Sequence, residues 1–264
     1  MRLQEYIIKN KEKILWAFCN IYGNDLYNKI ANRFDQIEFL FPNLQPEDYN
    51  KCLDEICYHP NNVESIPQIE VIRKIKDVNE CGFFIPLLRK VENNDFTLYY
   101  FIIINSNSLD YSYENLDVVL FHELKHCLTY HIQRDKNDIV YNKSGLSLKI
   151  NNYSQNYSNV SVYYTDINEV LTQFDAEQMT KKLHQCTEIL PKQQQKGIPF
   201  IWCQNYYELL FEYFQNKWDV VRMLEMTDNI DDILQEKNSK VLNEMENKVK
   251  FPYIDIRRQL IKKR

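Results

Sequence analysis

His122-Glu-Leu-Lys-His126 is the stretch whose residue types and spacing could assemble a reacting centre. Two histidines four positions apart lie on one face of a helix, about one turn from each other, so their imidazoles can share one ion. Glu123 stands beside them, where a carboxylate can take a proton from a metal-bound water. Zinc suits the pair, because neutral imidazole is a good ligand for it and a tetrahedral site keeps a position open for water. The bland alternative is a surface helix holding two unrelated histidines. With five His in the chain, a chance H-E-x-x-H is on the order of one in a hundred.

The flanks suit a helix buried through the middle of a domain: Val118, Val119, Leu120, Phe121, Leu124 and Leu128 surround the motif with apolar side chains. Lys125 departs from the uncharged residues usual at the motif's centre. Helical geometry turns it away from the two imidazoles, so its stem is expected to pack while its ammonium reaches solvent.

Two histidines leave the ligand set incomplete. A third histidine six positions after the second, beyond a turning glycine, is excluded, because those places hold Ile132 and Thr129. His131 falls off the ligand face and reads as a helix-end histidine. The remaining common solution is a carboxylate from a second helix. Residues 165–177 supply Asp166, Glu169, Asp175 and Glu177, with Thr165 and Asp166 as N-caps and Val170, Leu171 and Phe174 as apolar positions. Asp175 lies on a different face from Glu169, whereas Glu177 is nearer its phase.

His122-Glu-Leu-x-His126 followed by Asn168-Glu169-x-x-Thr172-Gln173 resembles the gluzincin-type metallopeptidases, over about residues 96–215. The resemblance implies zinc (Zn2+) held by His122, His126 and Glu169, with Glu123 as catalytic base and a peptide or protein as substrate. It also implies a downstream Tyr or His that steadies the tetrahedral intermediate, for which Tyr206, Tyr207 and His184 stand in the right region. Tyr207 is preferred, since Tyr206 is expected to pack with Phe211 and Leu210. The implied fold is α+β and zincin-like: a small twisted β-sheet on the active-site helix, followed by a mostly helical C-terminal half.

Apolar periodicity and turn residues outline the secondary structure around the motif. Residues 1–60 read as a helical region, with apolar positions at Ile14, Leu15, Phe18, Ile30, Phe34 and Ile37. Residues 61–264 are expected to form the zincin-like domain. Strands are expected at Ile69 to Val71, Phe83 to Ile85 and Phe96 to Ile104, with the active-site helix over about 115–131. The run from Tyr99 to Ile104 reads as a buried central strand, leaving Phe83 to Ile85 as the alternative sheet edge for pairing with an extended peptide. Leu146, Leu148 and Ile150, then Val160, Val162 and Tyr164, alternate as a hairpin does. The third-ligand helix spans about 166–187 and further helices about 204–264.

Composition narrows the function classes. Apolar residues make up 44% of 264 positions, which suffices for a packed core. The net charge of -5 and the lack of a basic stripe argue against nucleic acid. No apolar run reaches the roughly 18 residues that span a bilayer, so no membrane partner is expected. Seven Cys without a regular framework and a charged first turn fit a cytoplasmic chain, with signal-less secretion as the alternative. Cys52, Cys57 and His59 look like a fragment of a zinc site without a fourth ligand, and Cys127 reads as packing. Two rival readings stand beside the peptidase. One is a zincin scaffold kept for binding or regulation without turnover. The other is a structural zinc site closed by Cys127, Cys186 or Cys203.

Overall fold

The computed structural model describes residues 3–40, 82–90, 96–104, 113–137, 139–152, 159–185 and 200–262. The chain is a mixed α+β protein and divides into two compact units, Met1–Leu128 with Asp175–Pro199, and Thr129–Phe174 with Phe200–Arg264. The expected strand at Ile69 to Val71, the boundary near residue 60 and the Cys52, Cys57, His59 group lie outside the described residues.

The first unit opens with α1 (Leu3–Tyr22), which buries Ile7, Ile14, Leu15 and Phe18 along one stripe. Gly23, at φ +101, lets the chain leave the helix, and α2 (Tyr27–Phe34) follows with Ile30 and Phe34 buried. Ile37, expected to continue the helical stripe, instead starts strand β1 (Ile37–Leu40). Four residues are too few for periodicity to decide, and pairing with a neighbouring strand settles their conformation. β2 (Gly82–Lys90) and β3 (Phe96–Ile104) complete a sheet of order β1-β3-β2. β1 runs parallel to β3 and β2 antiparallel to it, with Gly82 opposite Ile104 and Lys90 opposite Phe96. The run from Tyr100 to Ile104 is buried, as a central strand requires, and β2 forms an edge among the described strands. Pro86, which has no N–H to donate, sits in that edge strand.

α3 (Tyr113–Leu128) carries the histidine pair. It is buried nearly all round, with Leu120, Phe121, Leu124 and Cys127 at 0% exposure, and Phe121 meets the ring of Phe18 at 5.6 Å. It ends at Leu128, three residues earlier than expected. His131 therefore belongs to a strand, not a helix end.

The second unit is built on an antiparallel meander of order β4-β5-β6-β7: β4 (His131–Arg134), β5 (Ile139–Ser144), β6 (Ser147–Asn152) and β7 (Asn159–Tyr163). The expected hairpin is β6 and β7; β4 and β5 are additions. Their turn is set by Asp135, whose carboxylate accepts the N–H groups of Asn137 and Ile139. Gly145, at φ +59, closes the tight turn between β5 and β6. α4 (Thr165–His184) follows β7, then α5 (Phe200–Phe214), α6 (Trp218–Met226), α7 (Ile230–Leu234) and α8 (Glu236–Lys262). Leu148, Ile167, Leu171, Leu224, Leu242 and Met245 are central to this unit's core. Among the described residues no helix is long and apolar enough to cross a membrane.

Candidate metal centre

α3 holds the two histidines side by side as candidate metal donors. His122 and His126 are half-buried, their rings 4.8 Å apart and inclined at 68°, and their Nε2 atoms stand 3.1 Å from each other. Helical spacing produces this proximity without any tertiary contact. Glu169, half-buried on α4, brings a carboxylate oxygen into the same group: one ligand atom from each of the three residues lies within 4.8 Å of the others. Among the described residues this is the only group of His, Cys, Asp or Glu so disposed.

Glu123 is 8% exposed and outside that donor set. Its side chain lies against the start of β2. A Cβ built on Gly82 would fall 3.0 Å from Glu123 Cγ, 3.2 Å from its Oε1 and 2.6 Å from Val119 Cγ1. Glycine at position 82 therefore leaves the room that Glu123 occupies. Sequence reasoning did not single out Gly82. The available signal was one of only four glycines placed directly before an apolar strand.

Lys125 does not reach solvent. It is 1% exposed, and its Nζ donates to Asp175 Oδ2 at 2.6 Å, inside the first unit. Asp175 is thus occupied on another face from Glu169, in keeping with the helical phase. The cause is tertiary: an ammonium buried on α3 needs a carboxylate, and α4 supplies one. His184, considered for a role at the oxyanion, holds its Nε2 2.6 Å from Asp117 Oδ2. Glu177 is buried at 6%, and among the described residues it does not join the donor set.

The N-terminus of α4 is capped from a distance. Thr165 and Asp166 were expected to cap it with their own side chains. Instead Glu246 of α8 accepts the N–H of Asp166 at 3.3 Å and that of Ile167 at 3.0 Å. A carboxylate there satisfies orphan donors and complements the positive end of the helix. Tyr164, just before the helix, has φ 59, an uncommon conformation for an aromatic residue, and burial pushes its phenol above the usual range. Asn168, next to Glu169, accepts the Leu146 N–H at 2.8 Å and so ties α4 to the β5–β6 turn. Its Nδ2 and the Thr172 hydroxyl are buried without a hydrogen-bond partner among the described residues.

Tyr207 is half-buried in the second unit, its ring parallel to Phe174 at 3.3 Å and edge-on to Trp218 at 5.2 Å. It also stacks with Phe211 at 6.2 Å. Phe211, expected to pack with Tyr206, thus has Tyr207 as a ring neighbour. Tyr206 lies in α5, but its side chain is outside the described residues, as are those of Cys186 and Cys203. Cys127 is fully buried, burial pushes its thiol above the ordinary value, and it does not belong to the group formed by His122, His126 and Glu169. The comparisons with known proteins give no matching family model, no matching curated protein and no matching solved structure.

Proposed function

We propose that this chain is a zinc-dependent peptidase of gluzincin type, with a zincin-like arrangement of strands β1, β3 and β2 beside α3. The observation that carries the reading is the convergence of His122, His126 and Glu169 with Glu123 beside them but outside the donor set.

The donors suit zinc. Ligand atoms about 2.0–2.1 Å from a tetrahedral zinc stand about 3.4 Å from one another. The imidazole pair, at 3.1 Å, is already close to that. The Glu169 carboxylate oxygen lies within 4.8 Å of the imidazole donors. Two neutral imidazoles and one carboxylate leave a fourth position for water or substrate. Zinc bound there supplies Lewis-acid polarisation of a carbonyl and lowers the pKa of a water molecule towards neutrality.

The chain's own residues do the rest. Glu123 accepts a proton from water and returns it to the departing amine as the peptide bond breaks. Its burial beside Gly82 keeps the carboxylate in one place, and α3 keeps it one position from His122. β2, an edge among the described strands, would offer backbone groups to an extended peptide, which supports peptides as the substrate class. Tyr207 or Tyr206 supplies the donor to the developing oxyanion.

Glu123→Gln tests this reading. The amide keeps size and polarity but cannot take the proton, so the variant should fold, keep its metal and lose peptide hydrolysis by several orders of magnitude. Cleavage at the wild-type rate would remove Glu123 as base. Loss of the metal would make it a ligand.

A further inference from the structure

Two buried polar clusters in the first unit share one design. At one end, Tyr6 of α1 donates its hydroxyl to Asp117 Oδ2 of α3 at 2.6 Å, and His184 Nε2 of α4 lies 2.6 Å from the same oxygen. At the other, Tyr22 of α1 donates to Asp175 Oδ2 of α4 at 2.7 Å, and Lys125 Nζ of α3 donates to that oxygen at 2.6 Å. Each cluster takes a phenol from α1, an acid and a base, and each converges on a single carboxylate oxygen. Acid and base exchange helices between the two. Asp117, Asp175 and Lys125 are at most 1% exposed, and His184 is 23% exposed.

This exchange has a geometric consequence. Position 117 meets 184 and position 125 meets 175, so α3 and the C-terminal half of α4 run antiparallel. The rungs are eight residues apart on α3 and nine apart on α4, about 12 Å and 13.5 Å of helix. A slip of one residue moves each partner about 1.5 Å and rotates it about 100°, which breaks both clusters at once. Acid would then meet apolar neighbours at one end, and an ammonium would lose its counter-charge at the other. A buried charge without its partner is strongly disfavoured, so one register is selected.

Glu169 lies on the same unbroken helix, six positions before Asp175, about 9 Å along its axis. Its phase and height are therefore set by the same register. We propose that Tyr6, Asp117 and His184, together with Tyr22, Lys125 and Asp175, are positioning residues that fix α4 on α3 and thereby hold Glu169 in the metal donor set. None of the six belongs to that set, and α1 is on this account a working part of the metal centre. The inference rests on the metal reading above.

The test uses the full chain with cobalt(II) as the probe, following affinity by chelator competition and coordination by the visible absorption band. Lys125→Met with Asp175→Leu removes both charges and refills the space with apolar groups, a change that often leaves stability intact. This variant should melt cooperatively like wild type, yet bind cobalt at least tenfold more weakly. Its band should move towards that of Glu169→Ala. A merely structural role would leave the band of the folded protein unchanged. Should the double variant not fold, Tyr6→Phe with Tyr22→Phe, which removes two hydroxyls and keeps both rings, decides by the same readouts. A folded variant with wild-type affinity and band overturns the positioning role and leaves the metal centre standing. A wild-type chain that takes up no cobalt overturns the metal reading and this inference with it.

Discussion

Gly82→Ala places one methyl group between β2 and α3, and its sign can be argued from the structure. The glycine backbone is not in the left-handed region, so alanine meets no conformational barrier there. On that ground alone the substitution stabilises by about 0.4–1 kcal/mol, through the entropy of the unfolded chain. The new Cβ would fall 2.6 Å from Val119 Cγ1, however, about 1 Å inside an ordinary carbon contact. Val119 is β-branched and helical, so its rotamer is close to fixed and the strand or helix must shift instead. Overpacking of this kind costs about 1–3 kcal/mol. The steric effect wins, leaving a net loss of about 1–2 kcal/mol and a melting temperature lower by about 2–8 °C for a chain of this length. Glu123, whose Cγ would be 3.0 Å away, is displaced by the same methyl, so hydrolysis should fall as well. The assay is a double-mutant cycle by thermal and urea denaturation with Val119→Ala. Trimming Val119 should remove most of the penalty, giving a coupling of about 1 kcal/mol or more. If Gly82→Ala is as stable as wild type, or if Val119→Ala fails to relieve it, the packing argument is refuted.

Gly145→Ala meets both a left-handed backbone and Asn168 Oδ1 at 2.1 Å from the new Cβ, so it should destabilise more than Gly82→Ala in the same urea assay. Asp135 is held below the ordinary carboxyl range, chiefly by the Ile139 N–H it accepts and also by Asn137. A depressed folded pKa gives stability that is present above the unfolded value of about 3.9 and lost as pH falls through the folded one. Asp135→Ala should accordingly flatten part of the decline in stability seen by denaturation between pH 6 and pH 2. Tyr207→Phe keeps the ring that stacks on Phe174 and removes only the hydroxyl, so fold and metal content should persist. Turnover should drop about a hundredfold if this phenol is the oxyanion donor, and full activity would move the role elsewhere.

What could be read in the chain and what could not follows from the range of the interactions involved. The histidine pair was legible because a four-residue spacing on a helix is local geometry. β3 and the β6–β7 hairpin were legible from apolar runs and alternation, and α4 from its apolar stripe. Glu169 was identified from the Asn168-Glu169-x-x-Thr172 pattern, and the carboxylate comes within 4.8 Å of the imidazoles. The fate of Lys125 was hidden, since its partner Asp175 is 50 positions away and no local rule brings an acid to it. Gly82 and Glu246 were missed for the same reason: each matters through a side chain or backbone group of another element. β4 and β5 were overlooked because the helical pattern was carried past Leu128. The β-branched and aromatic residues Thr129, Tyr130 and Ile132, with the Asp135 turn beyond them, were the signal that could have ended it.

X-ray absorption at the zinc edge on the zinc-loaded, dialysed chain reads the ligands themselves and so decides whether His122, His126 and Glu169 hold the metal. About one zinc per chain is expected, with two imidazoles and oxygen donors at about 2.0–2.2 Å and no sulfur shell. His122→Ala or His126→Ala should abolish uptake, and Glu169→Ala should weaken it strongly. A sulfur shell at about 2.3 Å, or a wild-type chain that retains no zinc, would overturn the proposed zinc centre.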